Sequence, residues 1–233
     1  MENTRMSFFD EQAAALALQK YMTKVYGWMV GGLAITGLLS YLLMAGDAWM
    51  IIASNPILFF GCIIAELALV WSISARVNRI SRTASRLLFV LYSALNGVTL
   101  SVVVAAYTPG SITSVFIISA AMFAALSLYG TVTKRDLSAM GKFMFMGLIG
   151  LIVASILFVF FPSGLLNFVI SVVGVIVFAG LTAYDTQKIR ENALESMQDG
   201  EISDKGAVVG ALMLYLDFIN LFLYLLRLLG NRN

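Results

Sequence analysis

Apolar runs separated by short polar breaks recur along the chain at about 25–44, 55–75, 86–107, 111–133, 141–161, 165–185 and 207–229. A hydrocarbon layer needs roughly 20 residues of helix to cross it, so each run predicts one transmembrane helix. The expected fold is an all-α membrane protein with seven transmembrane helices. Residues 1–23 are more polar, carrying Asp10, Glu11 and Lys20, and lack the basic-then-apolar order of a cleavable leader. They are expected to form a polar cytoplasmic segment ahead of a single seven-helix domain at 24–233. The longest break, 186–206, holds the extended polar stretch Lys188–Lys205, which reads as a solvated helix end and loop.

At 100° per residue the polar positions inside the runs fall into stripes. In the last run, Gly206, Gly210, Met213, Asp217, Asn220, Tyr224 and Arg227 share one arc, and the opposite side is Leu, Phe, Val and Ala. That arc is expected to face protein and the apolar side lipid. The sixth run carries Asn167, Ser171, Gly174, Phe178, Thr182 and Asp185 at spacings of three and four. The second run holds Glu66, with Cys62 one turn away and Arg76 at its end. The third adds Tyr92, Asn96 and Thr99, and the fifth has Gly147, Gly150 and Ala154 for close helix approach.

Composition agrees with the pattern: 60% of residues are hydrophobic, only 12% are charged and mean hydropathy is +0.91. A net charge of +2 gives no reason to expect a nucleic-acid partner; the lipid bilayer is the expected surrounding. The single cysteine, Cys62, excludes an intramolecular disulfide, and with no histidine any response near neutral pH falls to carboxylates. Basic residues choose the orientation, because cytoplasmic loops retain Lys and Arg. Arg5, Lys20 and Lys24 precede the first run; Arg76, Arg79, Arg82 and Arg86 follow the second; Lys134, Arg135 and Lys142 follow the fourth; Lys188, Arg190 and Lys205 follow the sixth. Only Arg227 and Arg232 lie elsewhere, so the N-terminus is expected in the cytoplasm and the C-terminus outside. A re-entrant last run is the alternative.

Most of these residues also have a plain reading. Glycines and hydroxyls on a span ordinarily serve helix packing, Trp28 and Tyr107 suit interfacial anchors, and the arginine cluster sets topology. The carboxylates differ: a charged side chain at the bilayer centre costs roughly 2.5–3.5 kcal/mol or more, so its default reading is functional. Glu66 and Asp217 fall near mid-membrane by residue count, whereas Asp185 falls near a boundary. No phosphate loop, nucleophile–base set or redox motif is present, so no cofactor and no enzymatic activity are expected.

Four stretches together carry a resemblance. Gly180-Leu-Thr-Ala-Tyr-Asp-Thr-Gln-Lys-Ile189 and Leu214-Tyr-Leu-Asp-Phe-Ile-Asn-Leu-Phe222, with Tyr92-Ser-Ala-Leu-Asn-Gly-Val-Thr-Leu-Ser101 and Thr131-Val-Thr-Lys-Arg-Asp-Leu-Ser138, resemble the transmembrane Bax inhibitor motif family in its bacterial branch. The resemblance implies a last helix that is central and surrounded by the other six, a bacterial inner-membrane location, and two hydrogen-bonded aspartates, here Asp185 and Asp217, that sense pH for a calcium leak. It implies further that a helix-two arginine, best matched by Arg76, can latch onto the pair.

Residue chemistry accommodates that role. Two carboxylates in a low dielectric cannot both ionise cheaply, so one proton is shared, and its loss replaces a hydrogen bond with repulsion. Fully ionised, Asp185 and Asp217 offer hard oxygen ligands for transient Ca²⁺, the expected permeant ion. Glu66, Arg76, Asn96, Asn220 and Tyr224 are the candidate latch or pathway residues. Two other readings stay open: a regulator that binds other membrane proteins such as a membrane protease, in which residues 1–23 would matter more, and an intramembrane aspartyl protease. Against the protease, Asp217 follows Tyr215-Leu216 rather than a Gly-x-Gly lead.

Overall fold

The computed structural model describes residues 2–75, 81–198 and 204–233, and the side chains of 12–75, 81–194 and 204–233. It is helical throughout these segments: α1 (Glu2–Ala45), α2 (Trp49–Ala53), α3 (Pro56–Ala75), α4 (Arg82–Val104), α5 (Pro109–Val132), α6 (Ser138–Phe160), α7 (Gly164–Gln198) and α8 (Asp204–Leu229). All but the short α2 are long and apolar enough to cross a membrane, which gives seven candidate spans. Helix α1 runs from Glu2 through the polar lead without a break. The lead contains no proline and no glycine, so nothing in it stops a helix.

Starts and stops follow local chemistry. Pro109 opens α5 behind Thr108, whose hydroxyl accepts a hydrogen bond from Ser111 N. Between α1 and α2 the chain turns through Asp47, which has φ 55, a conformation that aspartate tolerates better than most residues. The outer faces are apolar. Ile57, Phe60, Ile64 and Trp71 of α3 and Phe143, Met146, Val153 and Phe160 of α6 are all exposed, as lipid-facing residues must be.

The chain groups into two compact units, Met1–Val102 with Lys188–Leu212, and Val103–Gln187 with Met213–Asn233. In the first, α1 presents Val25, Met29, Gly32, Thr36 and Ser40 as one buried stripe. Gly32 lies against Phe89 and Ser93 of α4, and the Thr36 hydroxyl donates to Ser93 O at 2.7 Å. Gly97 returns the fit against Thr36 O. Trp28 packs edge-on to Phe89, with the Arg86 guanidinium 5.7 Å from its ring centroid.

In the second unit, α7 is the element against which the others pack. Gly130 of α5 meets the Ala183 carbonyl, and the Ser127 and Thr186 hydroxyls lie 3.1 Å apart. Gly141, Met144 and Gly147 of α6 meet Tyr184, Gly180 and Val177. Of the glycines expected to bring the fifth span close, Gly147 does so, whereas Gly150 has open space beside it. Helix α8 stacks Tyr224 on Phe178 above Gly174, and its Phe218 meets Phe116 and Phe123 of α5 edge-on.

The expected faces of α8 need correction. Its apolar side, with Leu214, Tyr215, Phe218, Leu221 and Leu226, is buried, while Met213 and Arg227 on the polar arc are exposed. Leucine is as content against lipid as against another helix, so apolarity by itself cannot mark a lipid-facing side. Overall, 67% of the α8 span is buried, against 6% for α3 and for α6.

Candidate functional site

The residues Ala183–Gln187 form the most densely engaged stretch of α7. Ala183 faces α5, Tyr184 faces α6, Asp185 hydrogen-bonds Asp217 of α8, and Thr186 reaches Ser127 of α5. Gln187 then clamps the α5–α6 connection. Its Oε1 accepts from Leu137 N at 2.9 Å and its Nε2 donates to Arg135 O at 2.9 Å. Neighbours fixed on several sides leave Asp185 little freedom, which is the preorganisation a buried polar pair requires.

Asp217 is 4% exposed, Asp185 is partly buried, and their side chains are hydrogen-bonded to each other. Two carboxyl groups can share such a bond only if one carries a proton. The second Asp217 oxygen, Oδ2, is buried without a hydrogen-bond partner. No lysine or arginine forms an ion pair with either aspartate among the described residues. Among the described residues the pair therefore has no ion-paired counter-charge. No cluster of three or more His, Cys, Asp or Glu side chains suited to a metal ion occurs among the described residues.

The other sequence-predicted residues divide. Asn220, one turn beyond Asp217, turns its amide to Leu216 O at 2.8 Å. Tyr224 is held between Phe178 and the Arg227 guanidinium, which lies 5.5 Å from its ring centroid. Glu66 belongs to the other unit, where Thr99 Oγ1 donates to it at 2.7 Å and Asn96 Nδ2 at 3.3 Å. Arg76 lies outside the described residues. Tyr107, expected as an interfacial anchor, is 5% exposed and packs under Arg232 instead.

Some engaged residues carried no sequence signal strong enough to be singled out. Gln187 and Thr186 sit inside the recognised motif but were masked by the neighbouring aspartate. Lys24 and Arg86 converge on Asp204 at 2.9 and 3.3 Å, a contact spanning 180 and 118 residues that no local pattern reveals.

The Glu66 contact makes a prediction of its own. Thr99→Val removes the shorter of two donors to a partly buried carboxylate, which should cost about 1–3 kcal/mol. Thermal unfolding in detergent should show a lower midpoint for Thr99→Val and a near-normal one for Thr99→Ser, which keeps the hydroxyl. Equal midpoints for all three would mean that the contact contributes nothing.

Seven candidate spans, two of them joined by a hydrogen-bonded carboxylate pair, define a polytopic membrane protein. The family model described as "Inhibitor of apoptosis-promoting Bax1" matches residues 18–233. The chain is 48% identical over 218 residues to the Escherichia coli protein named "Inner membrane protein YbhL", covering 92% of this chain and 93% of that one. It is 46% identical to a Borreliella burgdorferi protein, over 96% and 97% of the two chains, and 42% identical to one from Deinococcus radiodurans, over 93% and 92%. The chain belongs to the Bax inhibitor-1 family.

Proposed function

We propose that this protein is a pH-sensitive cation leak pathway in a bacterial inner membrane, with Ca²⁺ as the permeant ion and the Asp185–Asp217 pair as its proton-operated gate. One observation carries the reading: a hydrogen-bonded carboxylate pair within two candidate spans, with one buried oxygen left over and no ion pair to a lysine or arginine among the described residues. The acid form is a neutral or singly charged bridge between α7 and α8. Losing the shared proton turns that bridge into a repulsion, and a two-state helix packing responds to such a change.

The doubly ionised pair is also the form with affinity for a hard cation. Groups near the site do not compete for this role: Tyr184 packs on Gly141 of α6, Thr186 bonds Ser127 of α5, and Lys188, one turn further along α7, pairs with Glu191. Inner-membrane location is supported by the name of the E. coli relative, and a cytoplasmic N-terminus with an outside C-terminus by the segregation of basic residues. The aspartates act in this reading as titrating groups rather than as catalysts. The test is calcium entry into sealed liposomes holding the purified protein. Entry should depend on pH in the wild type and lose that dependence in Asp185→Asn and Asp217→Asn; entry that ignores pH in the wild type would refute the gate.

A further inference from the structure

A second polar feature lies at the end of α8, about three turns beyond Asp217. The connection between α6 and α7 and the end of α8 form an open cavity of about 420 Å³ lined by Phe158, Pro162, Ser163, Gly164, Asn167, Arg227 and Arg232. The cavity has an unusual charge balance. Two guanidinium groups line it, and no carboxylate does. Neither arginine forms an ion pair among the described residues.

Each arginine, exposed on one side, rests on an aromatic ring. Arg227 lies over the Tyr224 ring, which is itself stacked on Phe178. Arg232 lies 5.6 Å from the Tyr107 ring centroid, and the tail that carries it is pinned to the α4–α5 connection. Thr108 N donates to Asn231 O at 3.0 Å, Asn233 N to Ala106 O at 3.1 Å, and Asn231 N to Ser111 Oγ at 2.9 Å. Opposite them the first turn of α7 begins at Gly164, so its free backbone N–H groups and the positive end of its dipole add to the same field. A site with two ring-stacked guanidiniums and no carboxylate in its lining suits a phosphate.

The surroundings choose the kind of phosphate. Exposed Phe160, Phe161, Leu165 and Phe168 adjoin the cavity in sequence on the ends of α6 and α7, and these helices are candidate spans. A ligand with a charged head and apolar tails meets both surfaces, whereas a free anion meets only the first. We propose that this cavity binds the phosphate of an anionic phospholipid through Arg227 and Arg232, with the acyl chains lying along the aromatic ends of α6 and α7.

The test uses the full-length protein in detergent, titrated with phosphatidylglycerol, phosphatidylcholine or inorganic phosphate and read by native mass spectrometry. Phosphatidylglycerol should bind in preference to phosphatidylcholine, and millimolar inorganic phosphate should not displace it. Arg227→Gln/Arg232→Gln should weaken binding about tenfold or more, since each arginine near anionic lipid contributes on the order of 1 kcal/mol. Arg232→Gln alone, on a tail that follows the last helix, should weaken it severalfold even if the double variant does not fold. Three outcomes would overturn the proposal: undiminished binding in Arg232→Gln, equal binding of phosphatidylcholine, or displacement by inorganic phosphate, the last making this a free-anion site.

Discussion

Gly130→Val is expected to give little or no monodisperse protein after membrane extraction, and any that survives should unfold well below the wild type. A Cβ at position 130 would run into the Ala183 carbonyl and lie 3.1 Å from Thr186 Cβ. The carbonyl belongs to the backbone of α7 and cannot rotate away, so α5 and α7 must separate. Overpacking of this kind costs about 1–3 kcal/mol when side chains can adjust, and more is expected against backbone. Separation also breaks the Ser127–Thr186 contact one turn along. Gly150→Val is the matched control. It adds the same side chain in mid-helix, but nothing lies within 4 Å of its Cβ, and it should behave nearly as wild type. If the two variants were equally stable, the close α5–α7 crossing would be wrong.

The second large effect runs the other way. Asp185→Asn/Asp217→Asn should be more stable than the wild type, by about 1–3 kcal/mol, as a higher thermal midpoint in detergent at alkaline pH. The wild-type site buries an oxygen without a partner and gathers negative charge when its proton leaves. Asparagine keeps the shape and can bridge amide to amide while adding no charge. Replacing buried ionisable groups by uncharged ones of similar volume is often neutral or stabilising, and a carboxylate at the bilayer centre is itself expensive. A less stable double variant would assign the pair a structural role; a more stable one would mark it as a feature retained at a cost in stability. Single substitutions should fall between, because Asn beside Asp still donates a hydrogen bond.

How much of this was legible in the sequence varies with the range of the interaction. The seven spans follow from apolar run length, a local property, and each expected run coincides for most of its length with one long helix. The Asp185–Asp217 pairing followed from motif resemblance, and the two side chains are hydrogen-bonded. Glu66 stood out by its cost, and Asn96 and Thr99 by their stripe. Nothing in either pattern said that they would meet.

The failures share a cause. The buried apolar side of α8 was read as lipid-facing because hydrophobicity does not distinguish two apolar surroundings. Gly150 and Gly147 are equivalent by spacing, and only the helix opposite decides which one is used. Tyr107 has an anchor's composition, but its burial depends on a tail more than 120 residues further along the chain. Where the deciding partner lies on another helix, the sequence supplies the residue but not its neighbour.

The central claim is that the shared proton of Asp185 and Asp217 governs a cation path. Its most direct test is dye-reported calcium entry into sealed proteoliposomes, stepped across about pH 5 to 8 with the reconstituted amount held equal. The account predicts a wild-type rate that changes about fivefold or more over that range, a modest coupling free energy, and a rate in Asp185→Asn and in Asp217→Asn that stays flat. A wild-type rate that does not change with pH, or a pH dependence that survives both substitutions, would contradict it.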